Sequence, residues 1–258
     1  MKNFDITFLG SCACDFSPRL EGELSRTLDK DARRSSSMMI DGRYIIDFGP
    51  HPLDVLDIIG KDKSEITDII ITHTHSDHFD PEKIKALALG RKEPLRLWLR
   101  QGALEVPIEG VELHEMELFK QYQVGELLVT GMSANHDASA CPQHLLIEKN
   151  GEKIFYGCDG AWLLNDTYYH LVNASLSLAV LDCTVGDYEG DYRLAEHNSI
   201  PMIRLMLPSL KTIGAINENT KIYLSHIAPS LHACHEDTVE IVHAIGVNVA
   251  YDGLRIEI

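Results

Sequence analysis

The sequence is short of positive charge. Its 258 residues contain 23 lysines and arginines against 39 aspartates and glutamates, which gives a net charge of −16 at pH 7. A surface this acidic repels a phosphate backbone, so the composition argues against a general nucleic-acid-binding protein and against binding to anionic membranes. We therefore expect neither nucleic acid nor a membrane as a partner.

Long apolar runs and paired cysteines are also missing. The first ten residues carry Lys2 and an apolar run interrupted by Asp5, a pattern typical neither of a signal peptide nor of a membrane span. The six cysteines are scattered, without a C-x-x-C pair or a regular spacing, as expected in a reducing compartment. These features predict a cytoplasmic protein.

No linker, low-complexity segment or repeat divides the chain, so we predict one domain, residues 1–258, of mixed α/β layers. Asp41-Gly42 between two apolar runs predicts a hairpin over 37–46, and Asp80-Pro81 predicts the start of a helix that ends near Gly90. Further strands are predicted at 6–9, 66–72, 95–100, 111–118, 126–132, 143–149, 153–157, 178–182 and 223–225, further helices at 53–59, 163–173, 198–210 and 235–245, and a closing hairpin at 247–258.

The most informative segment follows the β-branched run at 66–72. Within six residues the chain presents four side chains that commonly bind metals: His73, His75, Asp77 and His78. Alternation along an extended chain end puts His73 and His75 on one side, and a turn then directs Asp77 and His78 to a second point nearby. Such a density of ligands at a strand end is not expected of an ordinary solvated turn.

Three more ligand-type residues occupy loops that directly follow predicted strands. They are His136, Asp159 and His226, after the strands at 126–132, 153–157 and 223–225. Taken alone, each is more often a structural or surface residue. Together with the first four, they complete a ligand set for two metal ions.

This pattern resembles the metallo-β-lactamase-fold hydrolases, whose signature is H-x-H-x-D-H followed by a distant His, an Asp and a final His. The resemblance covers the whole chain, from Phe8-Leu9-Gly10-Ser11 to Ser225-His226. It implies a four-layer αββα sandwich with two metals at one edge, between the sheets. It also implies that His73, His75 and His136 hold the first metal, that Asp77, His78 and His226 hold the second, and that Asp159 bridges them.

Within that superfamily the chain is most similar to the cyclic phosphodiesterases that accompany the carbon–phosphorus lyase. The similarity lies in Leu181-Asp182-Cys183, in His197-Asn198 and in the closing run from Val249 to Leu254. Those enzymes carry a cysteine-rich loop and a late histidine that hold a structural zinc. Here Cys12 and Cys14 remain, and Pro229 stands where that histidine is expected. We therefore expect this third zinc to be absent.

The ligand types suit Zn²⁺ or Mn²⁺, and the spacing does not separate the two metals. Two ions ~3.5–4 Å apart can stabilise both the attacking and the leaving oxygen of a phosphoryl displacement. The sequence therefore predicts a dinuclear phosphodiesterase acting on a small phosphate ester, cyclic phosphates included. It is compatible with a homodimer but does not specify one.

Three side chains are candidates for roles beyond simple ligation. Asp77 is expected both to bind the second metal and to orient the attacking water. His197, at a loop-to-helix boundary, is a candidate to protonate the leaving alkoxide or to bind a phosphate oxygen, although it could simply cap the helix. Asp47 resembles the carboxylate that fixes a ligand imidazole in this superfamily, although a plain turn aspartate before Gly49 fits equally well.

Other functions on the same fold remain open. A tRNA 3′-processing nuclease needs a basic, Gly-rich arm, which this acidic chain does not show. A thioester or lactone hydrolase could use the same metal centre, whereas a non-catalytic scaffold is hard to reconcile with a complete ligand set. Arg33-Arg34 could steer a phosphate, but a solvated pair is the simpler interpretation.

Overall fold

The computed structural model describes residues 4–15, 20 and 25–258, which form two seven-stranded sheets and five helices. The strands are β1 (Asp5–Gly10), β2 (Ser37–Ile40), β3 (Tyr44–Ile46), β4 (Asp68–Ile70), β5 (Leu95–Arg100), β6 (Val111–Met116), β7 (Gln121–Val124), β8 (Leu127–Ser133), β9 (Gln143–Lys149), β10 (Glu152–Gly157), β11 (Leu178–Asp182), β12 (Lys221–Ser225), β13 (Asn248–Val249) and β14 (Arg255–Glu257). The helices are α1 (Pro52–Ile58), α2 (Pro81–Ala88), α3 (Asn165–His170), α4 (Ile200–Thr212) and α5 (His235–His243).

Both sheets are mixed. The first has the order β14-β1-β2-β3-β4-β5-β6, antiparallel from β14 to β3 and parallel from β3 to β6. The second has the order β13-β12-β11-β10-β9-β8-β7, parallel from β13 to β10 and antiparallel from β10 to β7. In the second sheet β8, β10, β11 and β12 therefore end at the same edge, and the loops that follow them lie close together.

Alternation along the strands separates three apolar layers. In β1, Ile6 and Phe8 belong to the core between the sheets, whereas Leu9 belongs to the layer beneath α1 and α2. On the other side, Ile203 of α4 and Val242 of α5 pack in the layer that covers the outer face of the second sheet. The result is a helix–sheet–sheet–helix stack, which confirms the predicted four-layer αββα sandwich.

Several local predictions are confirmed. The hairpin over 37–46 turns at Asp41 and Gly42, both at positive φ as the type I′ turn requires. The Asp80 side chain caps α2, accepting hydrogen bonds from the backbone amides of Glu82 and Lys83 at 3.0 and 3.1 Å. Among the described residues no helix is long and apolar enough to cross a membrane.

The predicted closing hairpin is wrong. β13 pairs with β12 in the second sheet, whereas β14 pairs with β1 in the first. The segment between them crosses from one sheet to the other: the Gly253 amide donates to the Phe8 carbonyl at 2.8 Å, and the Phe8 amide donates to the Leu254 carbonyl at 2.9 Å. The chain end thus ties the two sheets together instead of folding back on itself.

Candidate metal centre

The segment from His73 to His78 follows β4 and presents its ligand-type side chains in two directions. The chain turns after His75, because the amides of His78 and Phe79 both donate to the His75 carbonyl at 2.9 Å. This turn separates the pair His73 and His75 from the pair Asp77 and His78. All four side chains are buried or half-buried.

The first pair joins His136 and Asp159, which follow β8 and β10. His75 Nδ1 lies 3.1 Å from His73 Nε2 and 3.0 Å from His136 Nε2. Asp159 Oδ2 lies 3.3 and 3.4 Å from the same Nε2 atoms of His73 and His136. Three imidazole nitrogens and one carboxylate oxygen therefore converge on a single point.

The second pair joins His226, which follows β12, and again Asp159. His78 Nε2 lies 3.1 Å from His226 Nε2 and 3.3 Å from Asp77 Oδ2. Asp159 Oδ2 is 3.6 Å from His78 Nε2 and 3.4 Å from His226 Nε2. One carboxylate oxygen is thus shared by the two clusters, which is the position expected of a bridging ligand.

The chemistry of these atoms fits metal ions. In each cluster the ligand atoms all lie within 4.8 Å of one another, and the converging atoms are imidazole nitrogens and carboxylate oxygens. The facing imidazole nitrogens lie 3.0–3.1 Å apart, and each can present a lone pair to a metal ion once it carries no proton. Zn²⁺ and Mn²⁺ bind such donors. The two clusters therefore fit a dinuclear metal site.

Asp47 contacts the His78 imidazole on the side away from the second cluster. Its Oδ2 accepts a hydrogen bond from His78 Nδ1 at 2.7 Å, and its Oδ1 accepts one from the Thr72 amide at 2.8 Å. The Thr72 hydroxyl donates to both oxygens at 2.9 Å. Asp47 is completely buried at the end of β3, so its carboxylate fixes the His78 ring with Nε2 toward the cluster.

Asp182, at the end of β11, contacts the imidazoles of His226 and His197 in the way that Asp47 contacts His78. The sequence analysis gave Asp182 no role. Its Oδ2 lies 3.2 Å from His226 Nδ1 and 3.2 Å from His197 Nδ1, and it accepts a hydrogen bond from the Thr184 hydroxyl at 2.9 Å. Its Oδ1 accepts from the Asn198 amide at 2.8 Å. The sequence feature that could have identified Asp182 is an aspartate at the end of an apolar strand, which Asp47 shares.

His197 lies beside the shared carboxylate. Its Nδ1 is 2.8 Å from Asp159 Oδ1, the oxygen that does not enter the two clusters, and 3.1 Å from the Thr184 hydroxyl. Since the polar contacts of its ring with residues 4–15, 20 and 25–258 all use Nδ1, Nε2 is the ring nitrogen left for another molecule. The side chain is 16% exposed and lines the pocket above the clusters, so a ligand can reach it.

The protein's own charges divide the histidines into two groups. Burial lowers the pKa of His73, and it lowers the pKa of His136 to about 4. Burial also acts on His78 and His226, but there it is outweighed by carboxylates. Asp77 and Asp47 hold the pKa of His78 well above its ordinary value, and Asp159 with Asp182 raises that of His226 to about 9.

His197 is the most strongly shifted of the histidines that face the pocket. Burial alone would lower its pKa, but its contacts with Asp159 and Asp182 raise the pKa to about 11. In return, the imidazoles hold the pKa values of both carboxylates below their ordinary range despite burial. With the protein's own groups alone, His197 is therefore a cation held between two anions.

The clusters form the floor of an open pocket of about 190 Å³. Its walls come from residues 13–15, from the loop around His197 and from Ala228. Cys14 is exposed and lines this pocket, whereas Cys12 is buried and its backbone pairs with Ser35 and Ile227. Pairing between residues 11–13 and Ile227 holds the segment that carries His226.

No family model matches the sequence, and no curated protein matches it. Solved structures do match. The chain is similar to the metallo-β-lactamase fold protein YhfI from Bacillus subtilis, with a TM-score of 0.75 and 13% identity over 99% of both chains. It is also similar to Zn²⁺-bound PqqB from Methylobacterium extorquens, with a TM-score of 0.71 and 20% identity over 98% of this chain and 100% of that one.

The short form of human tRNase Z is a third similar structure, with a TM-score of 0.67 and 18% identity over 98% of each chain. Structural similarity at identities this low supports an inference about the fold but not about the activity. The likenesses span both sheets and the helical layers on either side. The chain therefore has the metallo-β-lactamase fold.

Proposed function

We propose that the protein is a dinuclear metal-dependent hydrolase that cleaves a phosphodiester bond in a small phosphate ester, cyclic phosphates included. The observation that carries the proposal is the pair of ligand clusters that share Asp159 Oδ2 beneath an open pocket. His73, His75 and His136 would hold one ion, Asp77, His78 and His226 the other, and Asp159 both. Such a pair of ions lowers the pKa of water to about 7 and stabilises negative charge on the attacking and leaving oxygens.

The chain's own residues supply orientation and proton transfer. The Asp77 carboxylate lines the pocket and uses Oδ2 for its contacts with His78 and His226, so we assign it the orientation of the attacking water. We assign His197 the donation of a proton from Nε2 to the leaving alkoxide. Its Nδ1 is held by Asp159 and Asp182, which fixes the ring during that transfer.

A small ester fits this pocket better than RNA does. The cavity of about 190 Å³ accommodates a compact substrate, and the chain carries a net charge of −16, which opposes the approach of a polyanion. One of the similar structures is nevertheless a tRNase Z, so an RNA substrate belongs among the alternatives to be tested.

The test is a hydrolysis panel on protein loaded with Zn²⁺ or Mn²⁺. It contains a cyclic phosphate, a linear diester, a thioester, a lactone and a precursor tRNA. We expect turnover of the phosphodiesters, with preference for the cyclic compound. His136→Ala should abolish it, while His243→Ala, an exposed histidine at the end of α5, should leave it unchanged. Turnover confined to the thioester, the lactone or the precursor tRNA would refute the proposal.

A further inference from the structure

The pocket wall contains an arginine that the sequence did not single out. Of the described residues that line the pocket, Arg193 is the only lysine or arginine, and the acids Asp15 and Glu196 line the same wall region. In a chain of net charge −16, a cation at the mouth of this pocket is an exception to the surrounding field.

Arg193 occupies a fixed position relative to His197. It lies in a one-turn 3₁₀ helix at 192–195, and its carbonyl accepts hydrogen bonds from the amides of Glu196 and His197 at 3.0 and 2.8 Å. The guanidinium thus comes from the turn that leads directly into His197. Its position is set by the same loop that sets the position of the proposed proton donor.

Hydrogen bonds to the described residues use one edge of the Arg193 guanidinium. Nε and Nη2 each donate to the Asp191 carboxylate at 2.9 Å, and the guanidinium lies over the Tyr192 ring at 5.2 Å. Nη1 has no hydrogen-bond partner among residues 4–15, 20 and 25–258. The N–H groups on the edge formed by Nη1 and Nη2 can therefore donate two hydrogen bonds to a carboxylate or a phosphate, the bidentate arrangement that this planar group favours.

The arginines considered from the sequence are not available for this role. Arg33 and Arg34 are both buried. Arg33 Nη1 donates to the Ser11 hydroxyl at 2.7 Å and to the Ala250 carbonyl at 2.6 Å, and Arg34 lies 3.5 Å from Asp252. They stabilise the interior, which leaves Arg193 as the arginine among the described residues that a substrate in the pocket meets.

We propose that Arg193 is a specificity-determining residue that binds a second anionic group of the substrate, a carboxylate or phosphate separate from the scissile phosphodiester. This inference rests on the proposed function, because it assumes that the metal clusters receive the scissile group. If Arg193 binds this second anionic group, its replacement should weaken binding of substrates that carry the group and spare those that lack it. The metal content of the protein should stay the same.

The decisive measurement is calorimetric binding, independent of turnover, on metal-loaded protein. Two probes differ by one carboxylate: methyl phosphate and phosphoglycolate. Arg193→Gln should weaken phosphoglycolate by about 10- to 100-fold, the range expected for hydrogen bonds to a charged group, and change methyl phosphate by less than about twofold. Arg204→Gln, at an exposed arginine of α4 outside this pocket, should change neither affinity.

Asp191→Asn separates binding from a purely structural role. Asparagine can still cap the turn but no longer competes as an anion for the guanidinium. If Arg193 binds the substrate, this variant should bind phosphoglycolate as tightly as the unmodified protein or more tightly. A loss equal to that of Arg193→Gln would show that the ion pair only holds the turn, and would overturn the proposal, as would equal weakening of both probes by Arg193→Gln.

Kinetics then distinguish the two proposals from each other. For diesters with and without a remote carboxylate, Arg193→Gln should raise KM for the charged substrate and leave kcat within about threefold. Selective binding of phosphoglycolate without turnover of any diester would refute the proposed function and keep Arg193 as an anion-binding residue. Diester turnover with no selectivity for the second anion would refute the Arg193 proposal alone.

Discussion

Loading the metal-free protein with Zn²⁺ near pH 7 should release at least one proton per chain, from the cluster formed by Asp77, His78 and His226. A histidine must lose the proton on its ligating nitrogen before it binds a metal. Carboxylates raise the pKa of His226 to about 9, so this imidazole is protonated at pH 7, and they shift the pKa of His78 in the same direction. Burial keeps His73 and His136 neutral there, with the pKa of His136 at about 4.

The free-energy cost of deprotonating a ligand follows from the difference between its pKa and the pH. At pH 7 the His226 proton must be removed two pH units below its pKa, which costs about 2.7 kcal/mol and weakens the second ion about 100-fold. Apparent affinity for the second ion should therefore rise about tenfold per pH unit between pH 7 and 8 from His226 alone, and more steeply where His78 also releases a proton. His73 and His136 contribute no such slope to the first ion.

Stability of the metal-free protein should change in the opposite direction. The folded-state pKa of His226 is raised to about 9 and that of His197 to about 11, above the unfolded value of about 6.5. Their contribution to the free energy of unfolding is complete below pH 6.5 and is lost as pH rises toward 9 and 11. The melting temperature of metal-free protein should therefore fall between pH 7 and 9, while metal binding strengthens.

The assay is calorimetric titration with Zn²⁺ at a fixed pH in two buffers of different ionisation enthalpy, whose difference reports the number of protons released. Asp47→Asn is the informative variant, since Asp47 is one of the two carboxylates that raise the pKa of His78. It should release fewer protons and bind the second ion with a shallower pH dependence. Fewer than one proton released at pH 7, or equal pH slopes for the two ions, would refute the reasoning.

Four further outcomes are expected. Elemental analysis of protein purified without chelator should find about two divalent ions per chain, and a ratio near three would imply a further site. Asp159→Ala should lose most of the second metal and nearly all activity, and retention of both would mean that another residue bridges. His197→Ala should reduce kcat roughly 10²–10⁴-fold for an alkoxide leaving group and far less for p-nitrophenolate, with metal content unchanged; equal losses would indicate phosphate binding instead. Gly49→Ala would place a Cβ 1.9 Å from the Asp77 carbonyl oxygen, so metal analysis should show a depleted second site, and an intact one would contradict the structure here.

Local pattern decides the position of the clustered residues. His73, His75, Asp77 and His78 stand together in the chain, and His136, Asp159 and His226 each lie within three residues of the end of a strand. Since the strands that precede the last three end at the same edge of one sheet, order along the chain was enough to bring these residues together.

The sequence predicted structure less well where a segment's position depends on residues that are distant in the chain. The two-residue strand β13 and the three-residue strand β14 have no pattern that specifies a sheet, and each pairs with a strand far away in the chain. β7 was missed because its polar–apolar alternation extends over only the four residues Gln121–Val124, which pair across Gly125 with β8. Arg33 looked solvated, but its acceptor at Ala250 lies 217 residues away.

Under the proposed function this acidic chain must bind an anionic substrate, and its buried carboxylates are compatible with that. Asp47, Asp159 and Asp182 are each nearly or fully buried, and each accepts contacts from imidazole nitrogens. Their negative charge is therefore directed inward, toward positions where cations belong, and two divalent ions would more than neutralise it. The electrostatic potential in the pocket can therefore differ in sign from the net charge of the protein. The acidic surface repels polyanions, while the metal-loaded pocket floor and Arg193 can attract a small anion. Under the proposed function, that difference favours small substrates over nucleic acids.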